Sequence, residues 1–222
     1  DRLVKGGVPL FFLDYFASSK LNSDQVYNLV YGISKACLQA NCILLGGETA
    51  EMPNIYVQNE VDIVGTMVGN VKFESIIDGR TNVSVNDVII GLPSNGLHTN
   101  GYSLINKLYQ KDNTIFTKEI IHRLCQPHKS YLSDIKKILK EKIKINGLCH
   151  ITGGGFSGNL KRVLKRELKY KLKEWEFPQV FKFIQQYTQL TNQEMMDTFN
   201  CGYGMLRILS PKDYDKLKGL DM

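Results

Sequence analysis

Apolar residues recur along this chain with two different periods, and the changes between them mark out its elements. Leu10-Phe11-Phe12-Leu13 is a short unbroken apolar run, which predicts a buried strand. Val26, Leu29, Val30, Ile33 and Cys37 then fall on one face of a helix, with Asn22 or Ser23 as its cap and an end near Asn41. Cys42-Ile43-Leu44-Leu45 predicts a second buried strand running into Gly46-Gly47, and residues 62–71, rich in valine and small residues, predict a third. From Ile77 to Asn86 the pattern turns polar and turn-rich, so a domain boundary is expected there, dividing the chain into residues 1–83 and 84–222.

Beyond that boundary strands and helices alternate again. Val88 to Leu92 predicts a strand that feeds the loop from Ser94 to Gly101, and Leu104, Ile105 and Leu108 predict a helix after it. A helix over about 130–139, a strand over 148–151, the run Gly153-Gly154-Gly155 and a short helix over about 159–164 follow. A helix opened by Pro178 and a closing strand over 204–209 complete the pattern. The expected fold class is α/β (α+β), in two domains.

Composition narrows the class without changing it. With 222 residues, 43% hydrophobic and 23% charged, the chain has the make-up of a folded protein and not of a disordered one. Its longest apolar stretches, Pro9 to Leu13 and Val88 to Pro93, fall far short of the roughly 20 residues that span a bilayer, so no transmembrane helix is expected. Five cysteines without C-x-x-C spacing argue against a disulfide framework and a zinc ribbon, and a reducing cytoplasm is the expected location. The net charge of +6 is uneven: residues 1–106 carry 6 basic and 10 acidic side chains, 107–173 carry 17 and 5, and 174–222 carry 5 and 7. Lys136, Lys137, Lys140, Lys142 and Lys144 alternate with Ile135, Ile138, Leu139 and Ile143, which reads as the solvated face of an amphipathic helix.

Three glycine-bearing segments, each placed directly after a predicted strand, carry the candidate chemistry. They are Gly46-Gly47-Glu48-Thr49, Ser94 to Gly101, and Thr152-Gly153-Gly154-Gly155-Phe156. Glycine lets backbone N–H groups converge with no side chain in the way of a phosphate, and a following helix places its N-terminus behind the anion. None of the three matches the P-loop or the G-x-G-x-x-G pattern. Glu48 and Glu51 suit Mg²⁺ shared with phosphate oxygens, or equally a capping role in the next turn. His98, among Ser94, Thr99 and Asn100, is a phosphate or acid/base candidate. His122 and His128 read as surface residues, and His150, at a strand end before Thr152, reads as either functional or structural, with the structural role favoured; of the cysteines, Cys201 alone is placed in a loop and marked for alkylation.

Taken in order, Gly46-Gly47-Glu48-Thr49-Ala50-Glu51-Met52-Pro53, Gly96-Leu97-His98-Thr99-Asn100-Gly101-Tyr102-Ser103-Leu104, His150-Ile151-Thr152-Gly153-Gly154-Gly155-Phe156 with Asn159, and Thr198-Phe199-Asn200-Cys201-Gly202 resemble the aminoimidazole ribonucleotide synthetase (phosphoribosylformylglycinamidine cyclo-ligase) family. Pro9 to Tyr15 and the opening Asp1 with Gly6-Gly7-Val8-Pro9 extend the resemblance over nearly the whole chain. It implies a two-domain fold whose N-terminal, ATP-binding and dimerising domain is incomplete here, with family sequence expected on both sides of this chain. It also implies a homodimer and ATP-dependent ring closure of formylglycinamidine ribonucleotide in purine biosynthesis. Carried over by motif, His98 would be catalytic; Asp1, Glu48, Thr49 and Glu51 would bind ATP, with Asp1 and Glu48 on Mg²⁺. Ser94, Asn100, Thr152, Gly153, Gly154, Gly155, Asn159 and Asn200 would bind substrate. Gly158 and Lys161 depart from the family's third loop. The alternatives are a sibling such as thiamine-monophosphate kinase or selenophosphate synthetase, and an inactive fragment whose basic 107–173 segment binds a polyanion; nucleic acid is not expected as a partner.

Overall fold

The computed structural model describes residues 2–220, which form two compact units, 2–76 and 77–220. In the first, β1 (Val8–Ser18) pairs in parallel with β2 (Ile43–Glu51) and antiparallel with β3 (Val61–Asn70), giving the strand order β2-β1-β3. The helix α1 (Ser23–Gln39) joins β1 to β2 as the crossover that a parallel pair requires. Its cap is Asn22, whose side-chain oxygen accepts from the backbone N–H of Asp24 and Gln25. α1 buries Cys37 and half-buries Val26, Leu29, Val30 and Ile33, the face that the sequence period marks out.

Two expectations for this unit need correction. The first strand runs eleven residues, far past Leu13, and its buried end is Phe16-Ala17-Ser18. The strand at 42–45 is not buried: Ile43 is 65% and Leu45 60% exposed. Three strands and one helix cover only part of the sheet, so Ile43, Leu45, Ile63 and Val64 stand in solvent. They are spread over the two edge strands and, by strand alternation, over both faces of the sheet.

The second unit is built on the sheet β4-β6-β5, all antiparallel, made of β4 (Val88–Pro93), β5 (Gly147–His150) and the central β6 (Tyr203–Leu209). Around it lie α2 (Gly79–Asn82), α3 (Tyr102–Lys111), α4 (Lys118–Leu124), α5 (Leu132–Lys140), α6 (Gly155–Val163), α7 (Gln179–Thr188), α8 (Asn192–Thr198) and α9 (Pro211–Lys218). The core is continuous, with Ile105, Ile151, Phe156, Leu160, Phe181, Ile184, Met195, Phe199 and Ile208 all buried. α5 carries the lysines largely as expected: Ile135 and Ile138 point inward, Lys137 and Lys140 lie in water and Lys136 is half-buried.

The short helices α4, α8 and α9 had no counterpart in the sequence pattern, yet each starts on a cap. Thr117 accepts from Ile120 N–H, Thr191 and Glu194 form a reciprocal capping box, and Ser210 caps with Pro211 in the first turn. Among the described residues no helix is long and apolar enough to cross a membrane.

Candidate functional site

In the first unit the Gly46-Gly47-Glu48-Thr49 segment is not a loop. It is the middle of β2, paired through to Ser18↔Glu51 of β1. Gly47 is there for close approach: a Cβ would fall 2.2 Å from the Asp14 carbonyl oxygen. Strand alternation sends Glu48 and Glu51 to opposite faces. Glu51 turns to its own chain and accepts from Leu21 N–H at 2.8 Å, while Glu48 and Thr49 lie exposed. Asp1, the other metal candidate, lies outside the described residues. Exposed Glu48 fits an Mg²⁺ that takes one protein carboxylate and completes its shell with phosphate and water; Glu51, on the other face and occupied locally, does not join it.

The second unit draws the other two glycine segments together at the ends of its strands. Asn200, 3% exposed, holds the loop after β4 in shape. Its Oδ1 accepts from Ser94 Oγ at 2.7 Å and Gly202 N–H at 3.0 Å, and its Nδ2 donates to Gly96 O at 2.9 Å. Asn159 does the same for the segment after β5. Its Nδ2 donates to Thr152 O and Gly155 O, and its Oδ1 accepts from Thr152 Oγ1 and from Arg162. Both amides face inward as supports, a buried role that the polar residue type demands. Gly153 and Gly154 are left exposed at the start of α6, whose first-turn N–H groups point out of the helix. Gly154 and Gly155 both take the left-handed conformation, with φ of 88° and 56°. Asn100 faces this segment, its Oδ1 lying 3.4 Å from where a Gly153 Cβ would stand. Ser94, Asn100 and Thr152 are half-buried at the rim. An exposed glycine turn on a helix N-terminus, with the Asn100 amide facing it, has the form of an anion cradle.

His98 lies beneath this rim, 4% exposed, with a left-handed φ of 62°. Asn95 decides its tautomer: Asn95 Nδ2 donates to Pro127 O and its Oδ1 accepts from Lys129 N–H, so His98 Nε2, 3.0 Å away, carries the proton and donates to that oxygen. His98 Nδ1 is then a buried acceptor with no hydrogen-bond partner. The ring fits because β6 offers Gly204, where a Cβ would fall 2.3 Å from His98 Cε1 and 2.4 Å from the Tyr131 hydroxyl. Burial, with His128 nearby, pushes the His98 pKa down to about 3, so the imidazole is neutral at pH 7. Burial likewise lowers His150 to about 4 and lowers His128, while it raises the Tyr131 phenol.

His128 was not expected here, and the sequence leaves His150 between a structural and a functional role. His128 is exposed as predicted, yet its ring stacks on His98 with centroids 3.9 Å apart and its Nε2 lies 3.0 Å from His150 Nε2. The contacts span fifty residues of chain, and only Asn95, three positions before His98, offered a local sign of the network. The cysteines also exchange roles: Cys201 is fully buried, its thiol pushed up to about 12 by desolvation, and Cys125 is the exposed one.

The sequence matches that of known proteins. A family model described as AIR synthase related protein, C-terminal domain, matches residues 84–220, and the model of the N-terminal domain matches residues 1–71. The chain belongs to the AIR synthase related family. Among relatives of that family, phosphoribosylformylglycinamidine cyclo-ligase of Neisseria meningitidis serogroup B is 42% identical over 99% of this chain and 66% of its own length. The corresponding protein of Methylobacillus flagellatus is 43% identical over 99% of this chain and 65% of its own. The chain thus spans just under two thirds of these relatives. Solved structures share the fold. The hydrogenase maturation protein HypE in complex with ATP matches with a TM-score of 0.66 at 18% identity, covering 96% of this chain and 60% of its own. Thiamine monophosphate kinase from Aquifex aeolicus matches with a TM-score of 0.61 at 16% identity, covering 96% and 68%.

Proposed function

We propose that this chain forms part of an ATP-dependent cyclo-ligase that closes formylglycinamidine ribonucleotide to aminoimidazole ribonucleotide. The observation that carries the reading is the 42–43% identity to proteins of that name over 99% of this chain. An amide oxygen is a poor leaving group. Transfer of the γ-phosphoryl of ATP to it gives an imidoyl phosphate; an amine of the same molecule then attacks that carbon, and phosphate departs with the oxygen. Such chemistry asks the protein for positioning and charge neutralisation more than for a covalent group.

The roles divide accordingly. Gly153, Gly154 and the start of α6, with Ser94, Asn100 and Thr152 at the rim, hold the ribose phosphate; Asn159 and Asn200 keep the loops in shape, and Gly155 lets α6 approach α8. His98 serves as a neutral imidazole that orders the loop after β4, since its lowered pKa leaves it no proton to give as an acid at pH 7. Glu48 and Asp1 hold the Mg²⁺ that neutralises ATP phosphates; Thr49, the next residue of β2, lies on the opposite face from Glu48, and Glu51 instead anchors Leu21. The division into domains at 1–83 and 84–222, a cytoplasmic location and a homodimer formed through the N-terminal domains belong to the same reading. The test is ADP release by the full-length protein with ATP and Mg²⁺. It is expected only when formylglycinamidine ribonucleotide is present; release driven instead by thiamine monophosphate would overturn the reading in favour of a kinase sibling.

A further inference from the structure

His98, His128 and His150 each present a ring nitrogen, and the three nitrogens lie within 4.8 Å of one another. Among the described residues this is the one group of three or more histidine, cysteine or acidic side chains so arranged. It unites three separate pieces of chain: the loop after β4, the segment between α4 and α5, and the end of β5. The anion cradle requires no such convergence, since it lies at Gly153 and Gly154.

Two details give the cluster the form of a metal site. His128 Nδ1 lies 2.7 Å from Lys129 O and must donate to it, because a carbonyl only accepts; this leaves the His128 Nε2 lone pair directed at His150. A backbone carbonyl on the far nitrogen is the usual way that proteins orient a metal-binding histidine. The separation of His128 Nε2 from His150 Nε2 is 3.0 Å. Two nitrogens bound to one zinc, each at about 2.0–2.1 Å, lie roughly 3.0–3.4 Å apart, so this pair already has the spacing of two ligands on one ion. The third nitrogen comes from His98, within 4.8 Å of the other two; with Nε2 held by Asn95, Nδ1 is the one that carries its lone pair.

We propose that His128, His150 and His98 form a binding site for a divalent transition metal of the zinc class, separate from any Mg²⁺ held with ATP. Imidazole nitrogen suits Zn²⁺, Co²⁺ and Ni²⁺ and does not suit Mg²⁺, which takes oxygen ligands. A bound ion would tie the loop after β4 to the end of β5 and fix both walls beside the cradle. If the function proposed above holds, such an ion would govern substrate access; metal binding itself does not depend on that function.

Cobalt titration of the chelator-treated full-length protein, without nucleotide or substrate, tests the site. The expected result is one Co²⁺ per chain with the strong visible absorption of a tetrahedral centre, competed away by Zn²⁺ and unaffected by Mg²⁺. His128→Ala, an exposed position whose loss spares the core, should weaken binding by at least about tenfold, whereas His122→Ala should leave it unchanged. Zn²⁺ should also raise the melting temperature of the wild type and not of H128A. Absence of the absorption, or equal binding by wild type and H128A, would overturn the proposal, whatever the outcome of the ADP assay.

Discussion

Gly155→Ala is expected to lower the stability of the second unit by about 3 kcal/mol, the sum of a strained left-handed residue and an overpacked contact. Gly155 has a φ of 56°, and a Cβ there would stand 1.9 Å from the carbonyl oxygen of Met196 and 2.6 Å from the carbonyl carbon of Asp197. Both are backbone atoms of α8, so no side-chain rotation relieves the clash; either α6 or α8 must move. Movement there pulls on the bond from Ser157 Oγ to Asp197 Oδ1 and opens the turn that Asn159 holds. Gly158→Ala, three residues on in the same helix, is the control. Nothing lies within 4 Å of its added Cβ, so it should be neutral or stabilising by up to about 1 kcal/mol through helix propensity. Urea midpoints of the two variants decide the matter: equal midpoints would show that α6 and α8 are not in the contact described here.

Acid should weaken the same unit well above the range in which ordinary carboxylates titrate. His98 is held neutral in the fold with a pKa of about 3, against 6.5 when unfolded, so between these values the unfolded chain binds a proton that the folded one refuses. The associated stability is therefore fully present above about pH 6.5 and is lost as pH falls below it. One such group gives a slope approaching 1.4 kcal/mol per pH unit, or on the order of 2 kcal/mol between pH 6.5 and 4.5. His150, lowered to about 4 by burial, acts in the same direction. His98→Gln keeps a polar side chain of similar reach and cannot titrate. It should remove about one proton's worth of slope from a plot of unfolding free energy against pH, whatever it does to stability at neutral pH. Parallel plots for wild type and H98Q would mean that His98 takes up its proton in the folded protein at an ordinary pH.

What the sequence disclosed follows the range of the forces involved. α1 was legible because its apolar period and its Asn22 cap are local, and β4, β5 and β6 because each is a short apolar run between turn residues. The capping box at Thr191 and Glu194 was equally local and lay in the sequence unread. Gly46-Gly47 misled because glycine marks a loop or a close approach with the same letter, and only the Asp14 carbonyl of the neighbouring strand distinguishes the two. The exposure of Ile43 and Leu45 was invisible for a related reason: an apolar run announces that a residue seeks burial, not that this stretch of chain supplies it.

The candidate site divides along the same line. Its backbone parts, Gly153 to Gly155 and the loop around His98, follow from residue type alone. The roles of Asn159 and Asn200 as inward supports depend on which carbonyls surround them, and that is a property of packing. The pairing of His128 with His98 and His150 belongs to the tertiary fold, in which Lys129 and Asn95 bring the segment after α4 against the loop after β4. Cys125 and Cys201 exchange places on the same grounds, since loop position predicts exposure only where nothing folds over the loop.

In the proposed reaction the substrate's amide oxygen is activated by phosphorylation and leaves as phosphate. Formylglycinamidine ribonucleotide carrying ¹⁸O at the formyl oxygen tests it directly when turned over by the full-length protein with ATP and Mg²⁺. The expected products are aminoimidazole ribonucleotide, ADP and inorganic phosphate bearing one ¹⁸O per turnover. Label released into water, with unlabelled phosphate, would contradict it.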